Sequence, residues 1–156
     1  MSEPLPVDAD VDMSAPAQRL ELSRHPWTVL AAISTGGILG ALGRYGLGRA
    51  LPTQPGGFPW ATFGINVSGC LLIGVLIVLV TEVWAGHPLV RPFLGVGVLG
   101  GYTTFSTYIV DIQRLVGVGA ARTALAYLAG TLVAALLAVQ VGAGLTQWVV
   151  RRRVAT

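Results

Sequence analysis

Charged residues are scarce in this 156-residue chain. They make up 11% of the sequence, lysine is absent, and the single cysteine, Cys70, excludes an intrachain disulfide and is interpreted as a packing residue. A soluble domain carries about 25% charged residues, whereas here 53% of residues are hydrophobic and the mean hydropathy is +0.70. The composition therefore indicates an integral membrane protein. We assign its net charge of +3 to the flanks of membrane spans, not to binding of nucleic acid.

Four apolar runs are long enough to cross a lipid bilayer. A hydrocarbon core of about 30 Å requires about 20 helical residues. The runs extend from Trp27 to Ala50, from Trp60 to Thr81, from Pro92 to Val116 and from Thr123 to Trp148. Each is continuous and not alternating, which favours helices over membrane strands. The sequence predicts an all-α integral membrane protein with four transmembrane helices in one domain, residues 26–150.

The two ends of the chain differ from this domain. Residues 1–25 are rich in acidic residues and proline, which predicts a disordered acidic tail, and residues 151–156 form a basic C-terminal end. The first apolar run follows the tail and is as long as a spanning helix, so no cleaved signal peptide is expected. With four spans, six arginines fall on one side of the membrane and four on the other. This weak bias permits insertion in both orientations.

The third apolar run is interrupted where a membrane helix is expected. Residues 97–108 read GVLGGYTTFSTY, in which glycine and hydroxyl residues replace aliphatic ones. Irregular backbone at membrane depth is tolerated only where protein buries it or where it lines a wet cavity, because lipid cannot form hydrogen bonds with it. The sequence therefore predicts a third helix that is broken mid-membrane, with an ion or substrate site at the break.

Polar residues inside the other runs are candidates for function, because they are costly there. For Arg44, near the end of the glycine-rich first run, structural pairing or snorkelling competes with attraction of an anion. For Asn66, an interhelical hydrogen bond competes with a role in ligand binding. Tyr127 and Thr131 are four residues apart, so their hydroxyls share one face of the fourth helix.

Three motifs together resemble the Fluc (CrcB) family of fluoride channels. The first helix carries GGILGALGRY at residues 36–45, the second NVSG at 66–69 and the third GGYTTFSTY at 100–108. The resemblance covers about residues 27–150. It implies a passive fluoride-selective channel, not an enzyme, in the cell membrane, where it exports cytoplasmic fluoride and lowers its toxicity. It also implies a dual-topology dimer of two antiparallel subunits.

The resemblance further implies a set of functional residues. A structural, non-transported sodium ion would be bound by the backbone carbonyls of Gly100 and Thr103, since a hard cation prefers oxygen ligands. Phe105 and Tyr108 stand where the family has pore-lining phenylalanines, whose electropositive ring edges can face an anion. Tyr108 adds a hydroxyl, which needs a partner or donates to fluoride. The expected fluoride pathway is completed by Asn66, Thr107, Tyr127, Thr131 and Arg44.

Other functions are less well supported by the residues. A small dual-topology multidrug exporter needs a membrane-embedded carboxylate, and Glu82 and Asp111 are expected at span ends. An intramembrane enzyme would need a base near Ser106, and a structural assembly protein would need no broken helix. The sequence leaves open whether two identical chains form the dimer or whether this chain pairs with a related one.

Overall fold

The computed structural model describes residues 26–84 and 88–154, and the regular elements in these two ranges are all helices. The predicted acidic tail, residues 1–25, lies outside the described residues. Five elements follow in chain order: α1 (Pro26–Ala50), α2 (Trp60–Val78, continued by a π-helical segment, Leu79–Val83), α3 (π-helical Arg91–Leu99 followed by Gly100–Tyr102), α4 (Ser106–Gly117) and α5 (Ala121–Val154).

Three segments within the described residues are long and apolar enough to cross a membrane: Trp60–Val83, Arg91–Gly117 and Ala121–Arg152. Large hydrophobic side chains are exposed on all of them, as expected for helices that face lipid or a partner chain. The chain is thus a multi-pass membrane protein. The 25-residue α1 forms where the first span is predicted, but its crossing of the membrane stays a prediction.

The last helix is longer than predicted. The hydropathy of the sequence places its end near Trp148, whereas α5 continues to Val154 through part of the predicted basic end. The guanidinium carbon of Arg152 lies 3.8 Å from the ring centroid of Trp148, one helical turn earlier. Arginine is a good helix former, so the loss of hydropathy marks the end of the apolar surface and not the end of the helix.

Glycines allow α1 to pack directly on the backbone of α3. A Cβ atom at Gly36 or Gly40 would collide with carbonyl oxygens of α3, and one at Gly101 would collide with the carbonyl of Gly37. The first-helix glycines therefore serve close packing, as their spacing predicts. This seam brings the C-terminal part of α1, including Arg44, beside the end of α3.

A second glycine seam joins α2 to α5. A Cβ atom at Gly74 would meet the carbonyl oxygen of Val139, and one at Gly142 would meet the carbonyl oxygen of Leu71. The short α4 packs on α5 through a small buried cluster. Its members are Leu115, Ala124 and Tyr127. The α2–α5 seam thus places α5 beside α2, and α2 in turn contacts the segment that joins α3 to α4 through Asn66.

Candidate functional site

Helical geometry stops between α3 and α4. Thr103 adopts an extended conformation with φ −76° and ψ 159°, and residues 103–105 belong to no helix. The backbone N–H and the side-chain hydroxyl of Thr103 both donate to the carbonyl oxygen of Leu99, at 3.0 and 2.9 Å. The C-terminus of α3 thus meets the N-terminus of α4 inside one candidate membrane span. We call residues 103–105 the interruption.

Asn66 of α2 holds this interruption through two hydrogen bonds to a single residue. Its Nδ2 donates to the carbonyl oxygen of Thr104, and its Oδ1 accepts from the Thr104 N–H, each at 2.9 Å. The amide replaces the partners that an unbroken helix would supply. The interhelical hydrogen bond anticipated for Asn66 is therefore present. A side-chain amide has two N–H donors, so one remains for another partner.

Hydroxyl groups cap the start of α4. The Thr104 hydroxyl accepts the backbone N–H of Thr107 at 3.2 Å and donates to the Thr107 hydroxyl at 3.0 Å. The Ser106 hydroxyl lies 3.3 Å from the same Thr104 oxygen. A hydroxyl near a helix N-terminus satisfies a backbone donor that has no partner within the helix. The structure thus places Thr107, a predicted pathway residue, in a cluster of hydroxyls beside the interruption.

Two further side chains fix the end of α3. The Nε of Arg44 donates to the carbonyl oxygen of Gly101 at 3.1 Å, where the negative end of the helix dipole lies. The Ser68 hydroxyl donates to the carbonyl oxygen of Ile65, so Tyr102 donates its own hydroxyl to Ser68 at 3.0 Å. Structural pairing, one of the alternatives for Arg44, is therefore realised, and its charge stays near the interruption.

Aromatic rings form a row that leads inward from the interruption. Phe105 is 75% exposed, and its ring centroid lies 5.9 Å from that of Tyr108. Tyr108 lies 5.1 Å from the fully buried Tyr127, which meets the ring of Phe58 edge to face at 5.2 Å. Ring edges are electropositive and ring faces electronegative. The row therefore offers an anion a surface that is polarised but carries no formal charge.

The predicted pair on α5 is buried and keeps hydrogen-bonding capacity. Tyr127 and Thr131 share a face, and neither hydroxyl has a hydrogen-bond partner in the described part of the chain. A buried hydroxyl without a partner costs about 1–3 kcal/mol. Each of these two hydroxyls thus keeps a proton that it can donate.

Tyr108 is an exception among these hydroxyls. Its hydroxyl donates to the carbonyl oxygen of Leu128 on α5 at 2.7 Å. Of the two alternatives for this hydroxyl, a protein partner and fluoride, the structure contains the first. The ring edge is retained in either case.

Thr62 and Asp111 form a polar contact that was not predicted from the sequence. Asp111 was expected at a span end, but α4 continues to Gly117 and the carboxylate is only 13% exposed. It accepts the Thr62 hydroxyl at 2.7 Å and lies 3.6 Å from Arg114. Two signals could have found the pair: Asp111 is the only acidic residue between residues 92 and 148, and Thr62 lies one helical turn before Asn66.

The carbonyls expected to bind sodium are both available. Within residues 26–84 and 88–154, no hydrogen bond reaches the carbonyl oxygen of Gly100 or that of Thr103. Gly100 is exposed, and the nearest atom to a Cβ built on it would be the carbonyl oxygen of Gly95 at 3.9 Å. Free carbonyl oxygens suit a hard cation such as sodium, so the residues present fit the implied site.

This chain is similar to known proteins of one family. The family model described as CrcB-like protein, Camphor Resistance (CrcB), matches residues 31–143. A Nocardia farcinica protein named Fluoride-specific ion channel FluC 2 is 56% identical over 87% of this chain and 95% of its own length.

Two Streptomyces proteins are also similar to this chain. A Streptomyces avermitilis protein with the name Fluoride-specific ion channel FluC 2 is 55% identical over 78% of this chain and 77% of its own length. A Streptomyces coelicolor protein named Fluoride-specific ion channel FluC 1 is 52% identical over 83% of this chain and 84% of its own length. Streptomyces avermitilis also has a relative named FluC 3, so one organism can hold two such chains.

Proposed function

This chain belongs to the CrcB family of ion channels, which are not enzymes, and from that premise we propose that it is a passive channel selective for fluoride. The observation that carries the proposal is the braced interruption between α3 and α4, with an exposed aromatic ring and several hydroxyls around it. Such a site offers polarised groups to an anion. Its proposed physiological role is to export cytoplasmic fluoride across the cell membrane and so lower its toxicity.

The proposed fluoride pathway follows the row of rings to the buried hydroxyls of α5. Phe105 and Tyr108 offer ring edges, and Tyr127 and Thr131 offer hydroxyls that have no hydrogen-bond acceptor among residues 26–84 and 88–154. Fluoride is a small anion and a strong hydrogen-bond acceptor, so these donors suit it. Because the rings carry no formal charge, they bind the anion weakly enough to release it, as conduction requires.

Asn66, Thr107 and Arg44 support the pathway in different ways. Asn66 keeps one N–H free after bracing the interruption, and Thr107 lies in the hydroxyl cluster at the start of α4. Arg44 leaves a positive charge close to the interruption, which raises the local concentration of anions. We propose that the interruption lies within the bilayer, where this charge acts most strongly.

We further propose that two chains pair in antiparallel orientation across the exposed face of the interruption. Gly100 and Phe105 are exposed in the single chain, and a second chain would cover them. The carbonyls of Gly100 and Thr103 from both subunits would then hold a structural sodium ion. When bound, the cation would compensate the partial negative charge of the carbonyl groups. The partner is a second copy or a related chain.

One observation favours a different function, a proton-coupled multidrug exporter. Asp111 is more buried than the sequence predicts, and such exporters need a carboxylate in the membrane. However, this carboxylate already has two protein partners, Thr62 and Arg114, so it is not free to bind a cationic substrate. The passive channel therefore remains the better-supported function.

The two functions are separated by fluoride flux measured with and without a proton gradient. Proteoliposomes loaded with potassium fluoride and supplied with valinomycin should release fluoride at the same rate at equal and at unequal pH. A rate that depends strictly on the imposed pH difference would contradict the channel and favour the exporter. Liposomes without protein, loaded with potassium fluoride in the same way, provide the control for leakage of neutral HF.

A further inference from the structure

Tyr108 is connected to two helices at once. Its backbone belongs to α4, and its hydroxyl donates to the Leu128 carbonyl of α5 at 2.7 Å, a usual distance for a well-formed O–H···O hydrogen bond. A tyrosine hydroxyl has one proton to donate. In this arrangement the proton is engaged by the protein and is not available to an anion.

The second attachment restricts the orientation of the ring. The Tyr108 ring lies between those of Phe105 and Tyr127, at centroid distances of 5.9 and 5.1 Å, and packs on the buried cluster of α4 and α5. A phenylalanine here would keep these ring contacts but lose the attachment of the far end of the ring to α5, so it could rotate more freely about its side-chain torsions. The hydroxyl therefore determines which ring edge faces Phe105 and the space beside it.

We propose that Tyr108 is a positioning residue that sets anion selectivity through its hydrogen bond to Leu128. This inference rests on the proposed channel function. By holding the ring still, the bond keeps the passage beside Phe105 narrow, so that fluoride passes and the larger chloride ion is rejected. The hydroxyl itself does not bind the anion. Its role is mechanical, because it joins α4, which follows the interruption, to the long helix α5.

Tyr108→Phe removes one oxygen atom and leaves the ring. The Leu128 carbonyl lies inside α5 and also accepts a backbone N–H of that helix. It therefore keeps a hydrogen-bond partner in the variant, which should fold. Tyr45→Phe, at a ring that is 65% exposed on α1, is the matched control. Both variants lose one phenol hydroxyl and no other atom.

The selectivity test measures fluoride and chloride efflux from the same proteoliposome preparations. We expect Tyr108→Phe to conduct fluoride while its fluoride-to-chloride ratio falls about fivefold, the size expected from one lost hydrogen bond. Tyr45→Phe should keep the wild-type ratio. An unchanged ratio in a well-folded Tyr108→Phe dimer would overturn the proposal and leave the channel function standing. Absence of fluoride flux from the wild type, both alone and together with a co-expressed related chain, would instead overturn the proposed function itself.

A spectroscopic measurement tests the hydrogen bond directly. In protein labelled with ¹³C at the tyrosine Cζ atom, the Tyr108 resonance is identified by its loss in Tyr108→Phe. Titration with sodium fluoride should leave that resonance unchanged, because its proton is donated to Leu128. A saturable shift with fluoride, absent with sodium chloride, would show that the hydroxyl binds the anion and would overturn the proposal.

Discussion

Replacement of Asn66 tests the brace that holds the interruption. Asn66→Asp keeps an oxygen that can accept the Thr104 N–H but removes the Nδ2 donor to the Thr104 carbonyl. It also places an acceptor and a negative charge beside that carbonyl. Asn66→Ala removes both hydrogen bonds without adding charge. The pair of variants separates the effect of the lost brace from the effect of the charge.

The expected magnitude follows from the two hydrogen bonds. Leaving a buried carbonyl without its donor costs about 1–3 kcal/mol, and each 1.4 kcal/mol added to a rate-limiting barrier lowers the rate about tenfold. Loss of the brace destabilises the conducting state, so we expect fluoride flux to fall about tenfold or more in both variants. The dimer should survive, because both hydrogen bonds lie within one chain.

Two measurements check this account. Fluoride efflux from proteoliposomes reports conduction, and amide hydrogen exchange over residues 103–105 reports the brace. Exchange of the Thr104 amide should speed up in Asn66→Ala, which loses its acceptor, and stay slow in Asn66→Asp, which keeps it. Wild-type flux in a folded Asn66→Ala dimer would refute the reasoning, because the interruption would then need no support from α2.

Three further outcomes are expected. Phe105→Ile should keep the dimer but lower fluoride flux about tenfold, because an aliphatic side chain lacks the electropositive edge; flux equal to wild type would remove Phe105 from the pathway. Thr103→Ala retains the proposed sodium-binding carbonyl and should therefore dimerise and respond to sodium as the wild type does. Gly100→Leu should weaken both dimerisation, measured by size exclusion, and the dependence of fluoride flux on sodium, measured at several sodium concentrations. Gly40→Leu should destabilise the fold by several kcal/mol in a denaturant titration, since its side chain would enter the α3 backbone; unchanged stability would contradict the packing seam.

Much of the helical architecture could be predicted from hydropathy, because spanning a bilayer imposes a length of apolar sequence. The glycines at residues 36 and 40 likewise indicated close helix packing. Hydropathy could not identify their contacts, since the seam depends on glycines of α3 that lie about 60 residues later. It also could not separate the end of the apolar surface from the end of α5.

Individual polar contacts were less predictable for a related reason. The sequence shows that the Asn66 amide needs a hydrogen-bond partner. That partner is the backbone of Thr104, and the identity of the Thr104 side chain does not indicate this contact. The Tyr108 hydroxyl likewise donates to a main-chain carbonyl. The burial of Asp111 was equally hard to predict, because its partner Thr62 lies on another helix, α2. Contacts to backbone groups become visible only when the helices are assembled.

The central claim is that this chain forms a passive passage for fluoride, and reconstitution of the purified chain alone tests it most directly. Liposomes that contain only this protein should release fluoride down its electrochemical gradient, without ATP or a proton gradient, and should retain chloride. Such a result would also show that identical chains suffice. If folded, reconstituted protein released no fluoride, both alone and together with a co-expressed related chain, the account would be contradicted.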